Sequence, residues 1–389
     1  MEHPINESTI STAHEIVRPT YVEVNIDRLS ANLNAIRTHV GLTTQIMAIL
    51  KANAYGHGLV PVARHLVAQG VNYLGVAVLE EGILLREQGI QAPILVLGGI
   101  LGNQAPLFLQ YDLTFTASSI EKLEQIDAAA RQMGATARAH LKIDTGMERI
   151  GVHYYNAESF LNASLQYRHV QVEGVFSHFA NADAADLSHA RLQLERFEEA
   201  LSFYERRSLP LPIRHIANSA AILNLPESYF DLVRPGILLY GIYPSPECQP
   251  TVEVRPALAW KSRVVYFKVA LPHHPVGYGS IWQSDHMVRL VTVPVGYGDG
   301  YFRSMTGKAK VLLNGKPYPV VGRIAMDQVI VNIEWDSAYN DDEVILIGEH
   351  ENGATITCED LAEWAGTIPY EILTNINTRV PRVYCTDSS

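Results

Sequence analysis

Short apolar runs recur along the first two thirds of the chain, at residues 47–50, 73–78, 94–97, 113–116, 139–143, 170–176, 213–217 and 232–233. Stretches with helical spacing separate most of them, at 60–69, 79–88, 119–133 and 189–206. Apolar runs of this length bounded by turn residues read as buried strands, and the 3.6-residue spacing between them reads as helix. Eight strands alternating with helices predict a closed parallel (β/α)8 barrel of the TIM type, not an open sheet. Ahead of them, residues 18–24 alternate like a strand, and Ile26, Leu29, Leu33 and Ile36 fall on one helical face within 26–40. The texture changes after Tyr243. Strand-like runs follow at 257–269, 288–295, 308–313, 318–321, 329–333 and 343–347, with Asn314-Gly315 as a hairpin signal and Thr357 as the cap of a helix over 358–365. The pattern therefore predicts a flexible N-terminal tail over 1–18, a barrel over 19–250 and a mostly β domain over 251–389.

Composition narrows the class without naming a reaction. A net charge of −11 argues against a general nucleic-acid binder. Residues 1–19 lack the apolar segment of a signal peptide, and no apolar run reaches membrane-spanning length, so the cytoplasm is the expected compartment. Cys248, Cys358 and Cys385 are scattered, with no CxxC pair, and indicate neither a disulfide framework nor a metal site.

Candidate chemistry falls at the ends of the predicted barrel strands, where barrels carry their active sites. Lys51 follows the first; Lys142, Asp144 and Arg149 the fifth; His178 and Asn181 the sixth; His215, Asn218 and Ser219 the seventh; Arg234 and Gly236 the eighth. Taken singly, each has a structural explanation: Lys51 as a solvated strand cap, His178 as a core histidine, Asn218-Ser219 as a helix cap, Arg234 as an ion-pair partner. Five strand ends converging on one mouth favour a site. A lysine in a partly dry mouth loses its proton readily, as a Schiff-base or general-base lysine must. Amides at a helix start beside a serine suit a phosphate. In the second domain two loops, Gly277-Tyr278-Gly279 and Gly296-Tyr297-Gly298-Asp299-Gly300, turn sharply around a tyrosine.

These stretches, with Lys51-Ala52-Asn53-Ala54-Tyr55-Gly56-His57-Gly58, Lys142-Ile143-Asp144-Thr145-Gly146-Met147-Glu148-Arg149, Ser177-His178-Phe179-Ala180, Arg234-Pro235-Gly236-Ile237 and Gly322-Arg323-Ile324-Ala325-Met326-Asp327-Gln328, resemble the alanine racemases. The resemblance runs from Arg18 to Arg382. It implies a pyridoxal 5'-phosphate enzyme that interconverts L- and D-alanine and supplies D-alanine for cell-wall peptidoglycan. It also implies a homodimer with shared sites. By the same resemblance Lys51 holds the cofactor covalently and is one catalytic base, and Tyr278 is the second, reaching in from a partner subunit. Tyr55, Asn218, Ser219, Gly236, Ile237 and Tyr370 would surround the phosphate. His178 would pack on the pyridine ring, and Arg234, supported by His215, would face its nitrogen. Arg149 would meet the substrate, Met326 would line the substrate site from the partner subunit, Tyr297 and Arg323 would line the entry, and Lys142 is a position carbamylated in several members. Two residues depart from the pattern: Glu148 where glycine is common, and Ala325 where cysteine is often found.

Two bases answer a geometric need, since racemisation removes a proton from one face of a carbon and returns one to the other. A free phenol is a poor base, and Arg149 and His178 are the candidate cations to stabilise its anion. Racemases of serine or of a broader range of amino acids share the lysine and tyrosine, as an alternative. A decarboxylase on a similar barrel and a non-catalytic pyridoxal-phosphate carrier are further readings, both disfavoured by the presence of two candidate bases.

Overall fold

The computed structural model describes residues 17–387. Of the expected tail over 1–18, only Val17 and Arg18 fall within the described residues. The chain divides into two compact units. One comprises Arg28–Ala54 and Gly58–Arg255; the other comprises the chain up to Asp27, Tyr55–His57 and everything from Pro256 on.

The first unit is the barrel. Its strands Leu232–Val233, Gln45–Ile49, Tyr73–Val76 and Ile94–Val96 pair in parallel in that order. So do Phe115–Ala117, Ala137–Asp144, Val170–Phe176 and Ile213–His215. Single parallel bridges, Leu95 to Thr114 and Asn218 to Arg234, join the two groups at both seams and close the ring. The strands read as continuous apolar runs because both of their faces are covered. Met47, Ala48, Leu74, Val76, Phe115, Leu141 and Val175 have no exposed surface. Each of the larger ones contributes roughly 1.5–3 kcal/mol by burial.

The second unit is a ten-stranded sheet. Its order runs Tyr266–Ala270, Val288–Val293, Val329–Asn332, Lys316–Val321, Lys310–Leu313, Glu343–Glu349, Leu258–Arg263, Tyr21–Asn25, Arg382–Cys385, with Thr355–Ile356 beside Glu343–Glu349. Asn314 and Gly315 both take positive φ, 51° and 73°, as a two-residue hairpin turn requires. The helix Cys358–Ala365 starts on a reciprocal cap: Asp360 N donates to Thr357 Oγ1 at 3.0 Å, and Thr357 N to the Asp360 carboxylate at 2.7 Å.

Three features depart from the sequence pattern. Tyr21–Asn25, assigned to the barrel by its position before the first helix, runs antiparallel to Leu258–Arg263 and parallel to Arg382–Cys385. It buries Val22 and Val24 beside Trp260, so strand pairing with residues more than two hundred positions away overrides sequence proximity. Residues 55–57 also group with the β-rich unit, because Arg382 Nε donates to Gly56 O at 3.0 Å and Tyr384 Oη to His57 O at 3.0 Å. The run expected over 257–269 breaks into Leu258–Arg263 and Tyr266–Ala270.

Candidate active site

The strand Gln45–Ile49 delivers Lys51 to the barrel mouth. The backbone then does something unusual for residues without glycine: Ala52, Asn53, Ala54 and Tyr55 all take positive φ, between 51° and 55°. Four consecutive left-handed residues cost roughly 1–2 kcal/mol each, so surrounding contacts must hold them. Asn53 contributes one such contact, its Oδ1 accepting from Leu59 N at 2.8 Å. Glu81 contributes another, accepting from Ala52 N at 2.7 Å. Lys51 retains exposed surface, yet its surroundings desolvate the ammonium and lower its pKa. Arg149 and Arg234 push the same way, and Glu81 opposes them. Exposure together with desolvation is the signature of a side chain in a concavity.

The end of Ala137–Asp144 places Lys142 and Asp144. Lys142 is buried, with Nζ 4.8 Å from the centroid of Phe176. Burial first, then Arg234 and Arg149, drive its pKa well below the lysine range against the pull of Asp144. Burial alone would raise Asp144, but the amides of Gly146, Met147 and Glu148 all donate to its Oδ1, and the net shift is downward. That carboxylate folds the loop that ends at Arg149. Glu148 sits at φ 54°, the left-handed region, which explains physically why glycine suits this position. Its carboxylate lies 2.9 Å from Nε2 of His153, and that imidazole stacks on Tyr155.

Arg234 is the organiser of the opposite wall. Its Nη2 donates to the carbonyls of Ser177 (2.8 Å) and Ile216 (3.1 Å) and to Nδ1 of His178 (3.1 Å). Its Nη1 donates to Nδ1 of His215 at 2.9 Å. Arginine only donates, so both histidines carry their proton on Nε2. His215 then donates to Nδ1 of His140 at 2.8 Å, which leaves Nε2 of His140 protonated, buried and without a partner. Burial and the Arg234 charge push His140 down to about 3 and hold His178 and His215 well below the usual range. His178 is therefore uncharged. It cannot be the cation expected to stabilise a phenolate. Burial lowers Arg234 to about 9, still cationic at neutral pH.

Asn218 caps the helix Ser219–Asn224, accepting from Ala221 N at 3.0 Å. Gly236 N and Leu238 N both point at Ser219 Oγ, at 2.8 and 3.3 Å, in the turn that carries Ile237. Two backbone amides and a hydroxyl thus converge on one spot, and Asn181 keeps a buried Oδ1 without a partner. A nucleophilic amine of lowered pKa, amide donors suited to an anion and a fixed guanidinium fit pyridoxal phosphate.

The β-rich unit places the remaining candidates. Tyr278 is 73% exposed on a tight turn, with Gly277 at φ 74° and Gly279 at φ 73°. A side chain at Gly279 would meet the Arg323 guanidinium at 3.2 Å. The second tyrosine loop is braced by main chain: Tyr297 N donates to Ala325 O (3.0 Å) and Gly298 N to Met326 O (2.9 Å). Met326 and Tyr297 are exposed beside this brace. Asp299, wholly buried, accepts from Arg18 and Arg379 at 2.6 Å each. Tyr55 and Tyr370 lie with ring centroids 6.1 Å apart, and burial raises the Tyr55 phenol.

The strand-end prediction thus brings Lys51, Lys142, Arg149, His178, Asn218, Ser219, Arg234, Gly236 and Ile237 into one unit, whereas Tyr55, Tyr278, Met326 and Tyr370 belong to the other. The sequence reading omitted His140 and Glu81. A signal for the first exists: Gly174 lies within a strand, where a Cβ would come within 2.5 Å of the His140 ring. For Glu81, the signal is an acid three residues into a helix that follows a strand.

Residues 24–244 match the alanine racemase N-terminal domain family, and residues 257–384 match the alanine racemase C-terminal domain family. The chain is 41% identical over 370 residues to "Alanine racemase 2" of Caldanaerobacter subterraneus subsp. tengcongensis, covering 95% of each. It is similar to the solved alanine racemase of Clostridium difficile 630 at TM-score 0.91 and 37% identity, covering 96% of this chain and 98% of that one. An alanine racemase from Bartonella henselae, solved with covalently bound pyridoxal phosphate, matches at TM-score 0.85 and 28% identity, covering 94% and 99%.

Proposed function

Because the chain belongs to the alanine racemase family, we propose that its barrel mouth holds pyridoxal phosphate on Lys51 and that Lys51 and Tyr278 are the two bases of the reaction. That reaction is the interconversion of L- and D-alanine by a pyridoxal-phosphate-dependent racemase. The observation that supports the site assignment is the gathering of Lys51, Lys142, Arg149, His178, Ser219 and Arg234 at the strand ends of one barrel, with Arg234 held by the carbonyls of Ser177 and Ile216. When bound, the cofactor supplies the electron sink that makes the α-proton of alanine removable.

The residues divide the remaining work. Lys51, with its proton easily lost, takes the α-proton on one face and returns one in the reverse direction. Tyr278, exposed on its glycine-flanked turn, does the same on the other face from a second copy of the chain. Ser219 and the amides about Gly236 and Ile237 hold the phosphate, with Asn218 fixing the helix start beside it. Arg234 donates hydrogen bonds but keeps its proton, so a ring nitrogen facing it stays unprotonated. That restrains the sink and disfavours transamination. His178, neutral through Arg234, offers an uncharged face to the ring. Arg149 meets the substrate carboxylate, and Met326 of a second copy of the chain limits side-chain size.

Burial and the charges of Arg234 and Arg149 hold the Lys142 amine well below the lysine range, which favours the free amine to which carbon dioxide adds, and Arg149 then matches the resulting anion. Intact mass of the native chain, higher by one carbon dioxide, tests this. Among the described residues no helix is long and apolar enough to cross a membrane.

Polarimetry on L-alanine with pyridoxal phosphate tests the activity. Optical rotation should decay to zero, and borohydride should fix the cofactor on Lys51. Retention of a borohydride-reducible attachment in Lys51→Ala would overturn the assignment of Lys51. Full activity on dilution to monomer would overturn the shared site.

A further inference from the structure

Glu81 lies outside the strand-end set, yet its carboxylate accepts from the backbone amide immediately after Lys51. One oxygen accepts from Ala52 N at 2.7 Å. The other accepts from Ala77 N at 2.8 Å and Val78 N at 3.4 Å, at the end of the neighbouring strand. The segment it ties is the left-handed run that begins at Ala52, which glycine-free sequence does not favour by itself. A fully engaged carboxylate spanning two strand ends is a clamp, and only an acid with two acceptor oxygens can make both halves of it.

We propose that Glu81 is a positioning residue for Lys51: its carboxylate clamps the left-handed turn behind the lysine to the end of the neighbouring strand. The proposal rests on the assignment of Lys51 to cofactor and proton transfer. It concerns Glu81 acting through Lys51, not contact with substrate.

Two variants of the full chain test the clamp. Glu81→Gln leaves one acceptor oxygen, so only one half of the clamp can form, and Glu81→Ala leaves neither. Affinity for pyridoxal phosphate is read by absorbance titration, racemisation of L-alanine by polarimetry, and thermal stability on the same samples. The affinity should fall about tenfold in Glu81→Gln and further in Glu81→Ala, with kcat falling alongside, as the turn loosens. Loss of thermal stability in both variants with unchanged affinity and kcat would overturn the proposal, since it would leave Glu81 a helix cap alone. Failure of the Lys51 assignment reads differently: pyridoxal phosphate would then attach elsewhere in the wild-type chain.

Discussion

The barrel mouth and the Tyr278 loop carry the two proposed bases under opposite physical regimes. At the mouth, Lys51, Lys142 and three histidines are crowded by Arg149 and Arg234, and burial decides their protonation. On the β-rich unit, Tyr278 stands exposed, and what is fixed is the backbone beneath it: Gly277 and Gly279 in left-handed conformations, packed on Arg323. The first regime tunes chemistry through desolvation. The second keeps a phenol accessible to a neighbour while holding its position. On the proposed reading, an exposed phenol on a fixed backbone can serve a second copy of the chain, whereas the lysine that anchors the cofactor works in desolvated surroundings.

The contrast is broken most severely at Lys51. Lys51→Ala should lower kcat by at least ~10⁴-fold and abolish borohydride fixation of pyridoxal phosphate, because no other group supplies both functions. Tyr278→Phe should leave cofactor fixation intact and lower racemisation by about 10²–10⁴-fold. Solvent-deuterium incorporation should then differ between the L-to-D and D-to-L directions, and equal incorporation would refute a one-face role for Tyr278. Asp299→Ala sharpens the other side of the comparison. It leaves Arg18 and Arg379 without their shared buried carboxylate and should destabilise the β-rich unit by about 2–3 kcal/mol in denaturant unfolding, with the electronic spectrum of bound cofactor unchanged.

The smallest effect concerns the loop before Arg149. Glu148 raises the pKa of exposed His153, so their ion pair is complete below the free histidine range and is lost as pH rises through the raised value. Glu148→Gly should relieve the left-handed strain and let His153 titrate at lower pH, measured by NMR of the imidazole. An unchanged His153 titration would show that the pair does not form in solution.

Much of the barrel was legible because a strand covered on both faces writes itself as a continuous apolar run, and all eight runs became strands. The strand-end polar residues were legible for the same reason: each interrupts an apolar run at a definite end. Tyr21–Asn25 was misassigned because local alternation tells which residues form a strand but not which partner the strand finds. The left-handed turn after Lys51 was not legible either. Ala-Asn-Ala-Tyr carries no glycine to announce positive φ, and tertiary contacts such as the Glu81 carboxylate hold it there.

The sequence by itself determined the periodicities, the barrel and its β-rich companion, the turn at Asn314-Gly315, the cap at Thr357 and the chemical types at the strand ends. These are local consequences of side-chain shape, polarity and backbone freedom. Only the tertiary structure decided that Lys51 is desolvated, that His178, His215 and His140 are neutral with their protons on Nε2, and that Asp299 joins two arginines distant in sequence. Protonation and hydrogen-bond direction depend on distances to groups far along the chain and on how much water the fold removes, and neither quantity exists until the chain has closed.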